Sequence, residues 1–287
     1  MNTLSENYHN TLLQLKNLYD DREAKGITNE LFLRILHLKP YQIITQSKEI
    51  LTQRQIVSLQ SATAKLLLGT PIQYVTGICT FSEMDFIVNP SVLIPRPETE
   101  ELVRWIINEH NDNQPITILD IGTGSGCIAI SLAKNLLNSK ILALDFSEPA
   151  LETAQLNAKQ LNCNNIEFVL ADIFTLPNTQ YSDIDVMLSN PPYIPYNERD
   201  TLAKNVRDFE PQTALFVQDN HPILFYKKIA VLAKTYLKSE GKLFFEINPP
   251  YADAICELLS ELNYKEIQVK KDIHNKNRMI CAKTTKQ

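Results

Sequence analysis

Asp185-Val-Met-Leu-Ser-Asn-Pro-Pro-Tyr193 is a short apolar strand that runs into a rigid polar loop. Each proline fixes φ and lacks an N–H, so the ladder of backbone hydrogen bonds stops at Asn190, which is itself held extended. The Asn190 side-chain carbonyl, the carbonyls of Pro191 or Pro192 and the flat ring of Tyr193 then form a polar cup that suits a planar NH₂ group. Taken alone, these four residues fit an ordinary turn after a proline-stopped strand equally well.

The chain before this stretch alternates strand and helix, which is typical of a parallel sheet covered on both faces. Strands are predicted at 116–121, 140–145 and 166–170, and Gly122-Thr-Gly-Ser-Gly126 turns the first of them into a helix. Glycines at alternate positions let the backbone pass close to a ligand, and a helix N-terminus can hold an anionic group. A dinucleotide is the weaker prediction, because Cys127 stands where its fingerprint needs a third glycine.

Acids follow the second and third of these strands. Asp145 can accept hydrogen bonds from both hydroxyls of a ribose, although it also fits as a cap of the next helix. Asp172, with Ile173 and Phe174 after it, is placed to meet an adenine. Since the carboxyl ends of parallel strands meet at one edge, we expect the glycine loop, both acids and Asn190 to gather there.

The last part of the chain completes the sheet. A fifth strand is predicted at 241–247 and a terminal pair at 267–271 and 278–282. The turn between the last two strands has hairpin length, so the final strand is antiparallel to the rest. Seven mostly parallel strands with this ending predict an α/β, doubly wound, Rossmann-like sheet of the class I S-adenosylmethionine-dependent methyltransferases.

Three regions are predicted along the chain. Apolar residues recur at helical spacing through 1–70, which indicates a small helical bundle for packing or partner recognition. Residues 71–95 are predicted to be a β-hairpin linker, with strands at 72–77 and 84–88. Residues 96–287 form the predicted catalytic domain.

The proline-flanked segment from Leu93 to Glu100 joins the linker to a helix. Thr99 or the acids near it can cap that helix. An unusual helix start accounts for the segment as well as a functional role does. In the functional interpretation, Arg96 and Glu98 form a wall of the active site, and Glu98 or Glu246 is a possible proton acceptor.

Composition limits the classes of function. The net charge of −5 argues against sequence-indifferent nucleic-acid binding, which needs several phosphate contacts from Lys and Arg. The five cysteines are widely spaced without a C-x-x-C, which predicts free thiols, and the five histidines show no metal-ligand spacing. The chain shows neither a leader peptide nor an apolar run long enough to cross a bilayer, so we expect a cytoplasmic protein without a membrane or metal.

Several stretches together resemble the peptide chain release factor glutamine methyltransferases, over nearly the whole chain. The resemblance implies S-adenosylmethionine as cofactor and methyl transfer to the side-chain amide nitrogen, N5, of the glutamine in the Gly-Gly-Gln loop of release factors, which tunes translation termination. The matching stretches are Pro71–Gly77, Leu93–Glu100, Asp120–Ala129, Ser189–Ile194, Phe209–Pro211 and Ala214–Leu215.

The resemblance also implies roles for individual residues. It assigns cofactor contacts to the glycine loop, Asp145, Ile173 and Asn190, to which the strand ends add Asp172. It assigns the substrate glutamine and catalysis to the loop from Asn190 to Tyr193, beside Arg96 and Glu98. The predicted cofactor site is therefore Gly122, Thr123, Gly124, Ser125, Gly126, Asp145, Asp172, Ile173 and Asn190, and the predicted substrate site is Asn190, Pro191, Pro192, Tyr193, Arg96 and Glu98.

Some positions depart from the family pattern. Asn220, Asn248 and Asn275 stand where the family usually has glycine, and asparagine is the residue that best tolerates left-handed backbone after glycine. Lys65-Leu66 stands where the family tends to have two arginines, which bears on how a partner docks.

Two other functions compete with this prediction. A nucleic-acid amino-methyltransferase acting on adenine N6 or guanine N2 would present a similar planar NH₂ group to the cup after base flipping. An idle S-adenosylmethionine-binding scaffold is the second. We expect a release factor as partner, no direct nucleic acid and a monomer.

Overall fold

The computed structural model describes residues 2–110 and 114–285. Their contacts divide the chain into two compact units. The first contains the chain up to Ile78 together with Ala203–Phe209, and the second contains Cys79–Leu202 together with the chain from Glu210 onward. The functional partition into 1–70, 71–95 and 96–287 stays a prediction.

The described residues form helices and strands that are numbered here in chain order. In that order they are α1 (Leu4–Leu15), α2 (Asp21–Ile35), α3 (Gln42–Thr45), α4 (Gln53–Leu67), α5 (Ile72–Thr76), β1 (Ile78–Phe81), β2 (Met84–Ile87), α6 (Pro97–Glu109), β3 (Ile116–Ile121), α7 (Cys127–Asn135), β4 (Ser139–Asp145), α8 (Glu148–Gln160), β5 (Ile166–Leu170), β6 (Ile184–Ser189), β7 (Ile194–Pro195), α9 (Lys204–Phe209), α10 (Gln212–Leu215), β8 (Phe216–Val217), α11 (Leu224–Tyr236), β9 (Leu237–Glu246), α12 (Ala252–Glu261), β10 (Lys265–Lys271) and β11 (Asn277–Lys283). Short 3₁₀ turns lie at Tyr196–Thr201 and Pro249–Tyr251.

The first unit is a small helical bundle. Capping boxes begin two of its helices, with Thr3 and Glu6 at α1 and Thr52 and Gln55 at α4, and each box satisfies two otherwise unpaired N–H groups. Apolar stripes of α1, α2 and α4 meet in one core, in which Phe32 is fully buried. The predicted bundle is confirmed.

The strand predicted at 72–77 is wrong. Residues Ile72–Thr76 form the helix α5, which begins after Pro71 and ends at Gly77, whose φ of 74° lies in the left-handed region. The hairpin comes one element later, where β1 and β2 pair in a two-stranded sheet. Its second strand lies where the alternating pattern predicted one.

The second unit is built on the predicted seven-stranded sheet, with strand order β10-β11-β9-β6-β3-β4-β5. β6 and β4 flank β3 in parallel, whereas β11 runs antiparallel to both β9 and β10. Alternate residues of β3 enter two different cores, one shared with α6 and α7 and the other with α11 and α12. The doubly wound α/β fold with an antiparallel final strand is confirmed.

Strand register brings the predicted site together. Ile121 at the end of β3 pairs with Leu144 on one side and with Ser189 on the other. The next residue along the chain from each of these three is Gly122, Asp145 and Asn190, where Asp145 is the last residue of β4 and the other two follow their strands, so all three lie at one edge of the sheet.

Candidate active site

A pocket opens at this carboxyl edge, and all of its walls belong to the second unit. Its empty volume, including the space at the mouth that is open to solvent, is about 1060 Å³. Apolar walls carry a few polar groups, as is usual for a small-molecule site. The predicted residues that line it are Arg96, Gly122, Thr123, Gly124, Ser125, Asp145, Asp172, Ile173, Asn190, Pro191 and Pro192.

Three predicted residues do not line the pocket. Gly126 caps α7 with φ 78°, and a Cβ there would lie 3.1 Å from the Cβ of Ala154, so its role is to let α7 approach α8. Tyr193 lies behind the wall, where its hydroxyl donates to Glu246 Oε1 over 3.3 Å. Glu98 lies away from the pocket, with Oε1 at 3.9 Å from His274 Nε2.

The first two glycines of the loop face the open pocket. Gly122 and Gly124 have φ of 74° and 55°, and a Cβ at either position would meet no atom within 4 Å. Here the positive φ, together with the need to leave ligand space open, requires glycine. The loop therefore exposes its backbone to whatever the pocket holds.

Asp145 anchors this loop from the neighbouring strand. Its Oδ2 accepts a hydrogen bond from Gly124 N at 2.8 Å and its Oδ1 accepts one from Ser147 N at 3.0 Å. Burial raises the pKa of Asp145, and the backbone hydrogen bonds from Ser147 and Gly124 oppose that shift. The cap of α8 is Ser147, whose hydroxyl accepts from Ala150 N, so Asp145 is not the helix cap.

A second buried carboxyl lies beneath the loop. Asp120, at the penultimate position of β3, is inaccessible to solvent, and Thr123 Oγ1 donates to its Oδ2 over 2.7 Å. Burial raises the pKa of Asp120 to about 7; the Thr123 hydrogen bond lowers it and the nearby charge of Asp145 raises it. A carboxyl in this environment is close to the balance point between its neutral and charged forms at neutral pH.

The wall opposite the loop is mixed in character. Asp172 is exposed and accepts a hydrogen bond on Oδ1 from Phe174 N at 2.9 Å, whereas Ile173 is buried. The Phe174 ring meets the ring of Phe225 edge to face, with centroids 5.3 Å apart, and Phe225 lines the pocket. A carboxylate beside apolar surface suits a planar heterocycle with exocyclic hydrogens.

The proline loop closes the pocket from β6. Ser189 Oγ donates to Ile121 O over 2.7 Å, which ties the end of β6 to β3. Asn190 Nδ2 donates to Thr99 Oγ1 over 3.3 Å, and Thr99 Oγ1 in turn donates to Glu246 Oε2 over 2.6 Å. Burial raises the pKa of Glu246, while the hydrogen bond from Thr99 and the charge of Arg278 oppose that shift.

The proline-flanked segment forms the adjoining wall. α6 begins at Pro97 with Arg96 as its N-cap residue, and no side chain caps it, so the prediction of Thr99 as a cap is wrong. Arg96 lines the pocket and pairs with Glu210 Oε1, while Glu210 Oε2 accepts from Ile94 N at 3.2 Å. Glu210 is 4% exposed, so this ion pair holds the segment against a buried carboxylate.

Sequence reasoning missed several groups that line the pocket or support its wall. Thr99 was interpreted only as a helix cap, and Glu210 only as part of a family stretch. Phe225 and Thr213 line the pocket from α11 and α10 without any local motif, whereas Ala214 lies in a stretch that matches the family. The acid in Phe209–Pro211, between an aromatic residue and a proline, carried a signal in the sequence.

Two further features of the described residues bear on chemistry. Within 2–110 and 114–285, no cluster of three or more His, Cys, Asp or Glu could hold a metal ion. In the same ranges, none of the helices combines the length and apolarity required to cross a bilayer.

Known proteins resemble this chain over most of its length. A family model described as a methyltransferase domain matches residues 112–286. A release factor glutamine methyltransferase of Flavobacterium psychrophilum is 41% identical over 281 residues, which is 96% of this chain and 98% of the relative. One of Bacteroides thetaiotaomicron is 39% identical over 268 residues, or 93% and 95% of the two chains.

Solved structures share the fold. The crystal structure of a methyltransferase from Pyrococcus furiosus matches with a TM-score of 0.52 at 18% identity, over 79% of this chain and 100% of that one. At this identity the likeness concerns the fold alone, and it agrees with the strand order described above.

Proposed function

The chain belongs to the family of release factor glutamine methyltransferases, and from this premise we propose that its pocket transfers a methyl group from S-adenosylmethionine to the side-chain amide nitrogen, N5, of the glutamine in the Gly-Gly-Gln loop of a release factor. One observation carries the proposal. The glycine loop and Asp145 share one pocket with Asn190, Pro191 and Pro192, so a cofactor and a planar amide can be held side by side.

The residues present fit S-adenosylmethionine. The open space over Gly122 and Gly124 admits a ligand close to the backbone, and Asp145 keeps lone pairs beyond the two that its backbone partners use. We propose that Asp145 accepts hydrogen bonds from the ribose hydroxyls, and that Asp172 and Ile173 meet the adenine. When bound, the cofactor supplies an electrophilic methyl group on a sulfonium.

The proline loop holds the glutamine amide. An amide nitrogen is a poor nucleophile because its lone pair is delocalised into the carbonyl. Asn190 Oδ1 and a carbonyl of Pro191 or Pro192 accept hydrogen bonds from the two N–H groups of the substrate. These preorganised acceptors stabilise the positive charge that develops on nitrogen, and they orient it toward the methyl group.

Proton removal needs no dedicated base. The methylated nitrogen is acidic enough to lose a proton to water. Glu98 and Glu246, the two candidates, both lie off the pocket wall, and the Thr99 hydroxyl stands between Glu246 and Asn190. We therefore assign neither residue a direct role in proton transfer.

The N-terminal unit is the proposed recognition element for the release factor. It exposes large apolar side chains, of which Ile44 and Ile50 are each more than three-quarters exposed. At the position that departs from the family pattern, Lys65 is exposed whereas Leu66 is fully buried in the bundle core. Only Lys65 of that pair is placed to meet a partner. We further propose a cytoplasmic monomer that acts on protein and not on nucleic acid or membranes.

The reaction is tested by product analysis. Purified protein is incubated with S-adenosylmethionine and a release factor, and the Gly-Gly-Gln peptide is examined by fragmentation mass spectrometry. We expect a gain of one methyl group on the glutamine side chain. Label carried by DNA or RNA in parallel reactions, with none on the release factor, would replace this function by nucleic-acid methylation.

Asn190→Ala tests the role of the proline loop. We expect turnover to fall by about 10²–10³, the scale for losing one preorganised polar group, while cofactor affinity stays within a few-fold. The matched control is Asn164→Ala, at an exposed position outside the pocket, which leaves both unchanged. Equal losses of turnover and cofactor affinity would show that Asn190 only builds the cofactor pocket.

A further inference from the structure

We propose that Glu246 is a positioning residue that sets the direction of the Asn190 carboxamide through the hydroxyl of Thr99. The inference rests on the proposed function, because it concerns which end of Asn190 faces the substrate amide. It adds two residues outside the proline loop to the machinery of that reaction.

The three side chains form one continuous line of hydrogen bonds. Glu246 ends β9 and is 1% exposed, and Thr99 lies in the first turn of α6 and is 3% exposed. Thr99 Oγ1 lies 2.6 Å from Glu246 Oε2 and 3.3 Å from Asn190 Nδ2. The line therefore runs from a buried carboxylate to the pocket wall.

A hydroxyl has only one proton, and this limits what Thr99 can do. Thr99 Oγ1 donates that proton to Glu246 Oε2, which accepts it over 2.6 Å. The Thr99 oxygen is then left with lone pairs alone, and the group of Asn190 that faces it must be the NH₂. Asn190 Oδ1 is thereby turned away from Thr99, and no described group of the protein donates to it. The substrate amide, which offers N–H groups, needs an acceptor at this place.

The other oxygen of Glu246 holds the far end of the loop. Tyr193 donates to Oε1 over 3.3 Å, and Asn248, two residues beyond Glu246, donates from Nδ2 to Tyr193 O over 3.3 Å. A single buried carboxylate thus fixes both Asn190 and Tyr193, at the two ends of the Asn-Pro-Pro-Tyr loop. Arg278 stabilises the charge on this carboxylate from β11.

The test compares two substitutions at Thr99. Thr99→Val removes the hydroxyl and keeps the shape, whereas Thr99→Ser keeps the hydroxyl and removes a methyl group. We expect Thr99→Val to lower kcat by about 10²-fold, the scale for a misplaced reacting group, with cofactor affinity unchanged in calorimetry. Thr99→Ser is expected to keep kcat within about threefold of the wild type, because it retains the hydroxyl that directs Asn190.

Glu246→Gln repeats the test from the other end of the line. Its NH₂ group can donate to Thr99, whose proton is then free to reach Asn190 Oδ1 and reverse the carboxamide. We expect a similar loss of kcat with cofactor affinity retained. This variant decides the matter if thermal unfolding shows that Thr99→Val does not fold.

The outcomes separate the two proposals. Wild-type turnover on a release factor together with a folded, fully active Thr99→Val or Glu246→Gln overturns the positioning role and leaves the proposed function intact. Equal losses in Thr99→Val and Thr99→Ser also overturn it, since packing would then matter and the hydroxyl would not. A wild type that methylates no release factor refutes the proposed function itself.

Discussion

Asp145→Asn is the sharpest perturbation of the cofactor half of the pocket. The substitution keeps the size of the side chain but replaces one acceptor oxygen by an NH₂ donor. Both oxygens of Asp145 accept hydrogen bonds from backbone N–H groups, so the new NH₂ group faces a donor. The hydrogen bond to either Gly124 N or Ser147 N is therefore lost. The oxygen that remains to accept from the ribose hydroxyls is an uncharged amide oxygen. Losing a hydrogen bond to a charged group costs about 1.5–3 kcal/mol. The dissociation constant of the cofactor should rise roughly 10- to 150-fold, at 1.4 kcal/mol per decade.

Isothermal titration calorimetry with S-adenosylhomocysteine, the demethylated product, measures this effect without turnover. The matched control is Glu152→Gln, which removes one negative charge from the exposed face of the adjoining helix α8 and leaves the pocket untouched. We expect the control to bind as the wild type does. A common loss in both variants would mean that long-range charge, and not the contacts of Asp145, controls affinity.

Unchanged cofactor binding by Asp145→Asn would refute the proposed contact between Asp145 and the ribose hydroxyls. Asp145 would then serve only as an anchor of the glycine loop, with the ribose held elsewhere. Protonation of Asp145 should weaken binding in the same way. Because burial raises the pKa of Asp145, affinity should begin to fall at a higher pH than it would for an exposed aspartate.

Two predictions concern the support beneath the loop. Gly126→Ala should destabilise the protein by about 1–3 kcal/mol in urea unfolding, because φ is positive and the new Cβ lies 3.1 Å from that of Ala154. The control is Gly26→Ala inside α2, which has open space around it and should not destabilise the protein. Equal stability of both variants would contradict the packing role. For Asp120, a folded-state pKa of about 7 against an ordinary 3.8 means that the folded protein binds the proton more tightly than the unfolded chain does. The contribution of Asp120 to the free energy of unfolding is therefore fully present below pH 4 and is lost as pH rises through 7. Asp120→Asn should remove up to roughly 3 kcal/mol of the decline in unfolding free energy between pH 5 and pH 8, and a variant with the wild-type pH profile would contradict this.

The sheet and its ligand edge were predictable because their signals are local. The parallel strands are short apolar runs with a glycine loop or a polar residue at or just beyond their carboxyl ends, and parallel strands place those ends at one edge whatever their order. The terminal turn was predictable from its length. Asn275, which stands where the family usually has glycine, does adopt a left-handed φ of 62°, whereas Asn220 and Asn248 have no positive φ.

The incorrect prediction of a strand at 72–77 has a physical cause. The run covers only six positions and alternates incompletely, since Tyr74 and Val75 are adjacent, and a pattern so short does not distinguish a strand from one turn of helix. The predicted strand included Gly77, but a proline at the N-terminal boundary, here Pro71, and a left-handed glycine just past the end are the boundaries of a helix. Local propensity offered no means of choosing between them.

The contacts between the side chains that hold the site in place could not be predicted from sequence patterns. Thr99 and Glu246 are 147 residues apart in the chain, and Glu210 pairs with Arg96 across 114 residues. No periodicity connects such pairs, since they meet only after α6 has packed against the face of the sheet. A buried Glu is costly unless it is paired and hydrogen-bonded, so an acid at the end of a fully buried strand indicates that partners exist without naming them.

The two buried glutamates suggest why the proline loop alone does not define the site. Prolines restrict the backbone of the loop, but they leave the Asn190 carboxamide free to turn by half a rotation, which exchanges an acceptor for a donor. An acceptor at that place favours methyl transfer and a donor opposes it, so the rotation must be decided by groups outside the loop. Glu246 does so through Thr99, while Glu210 fixes the neighbouring wall through Arg96. Each carboxylate is buried at a cost that its hydrogen bonds offset only when the segment is in place, which makes the geometry of the pocket a consequence of folding.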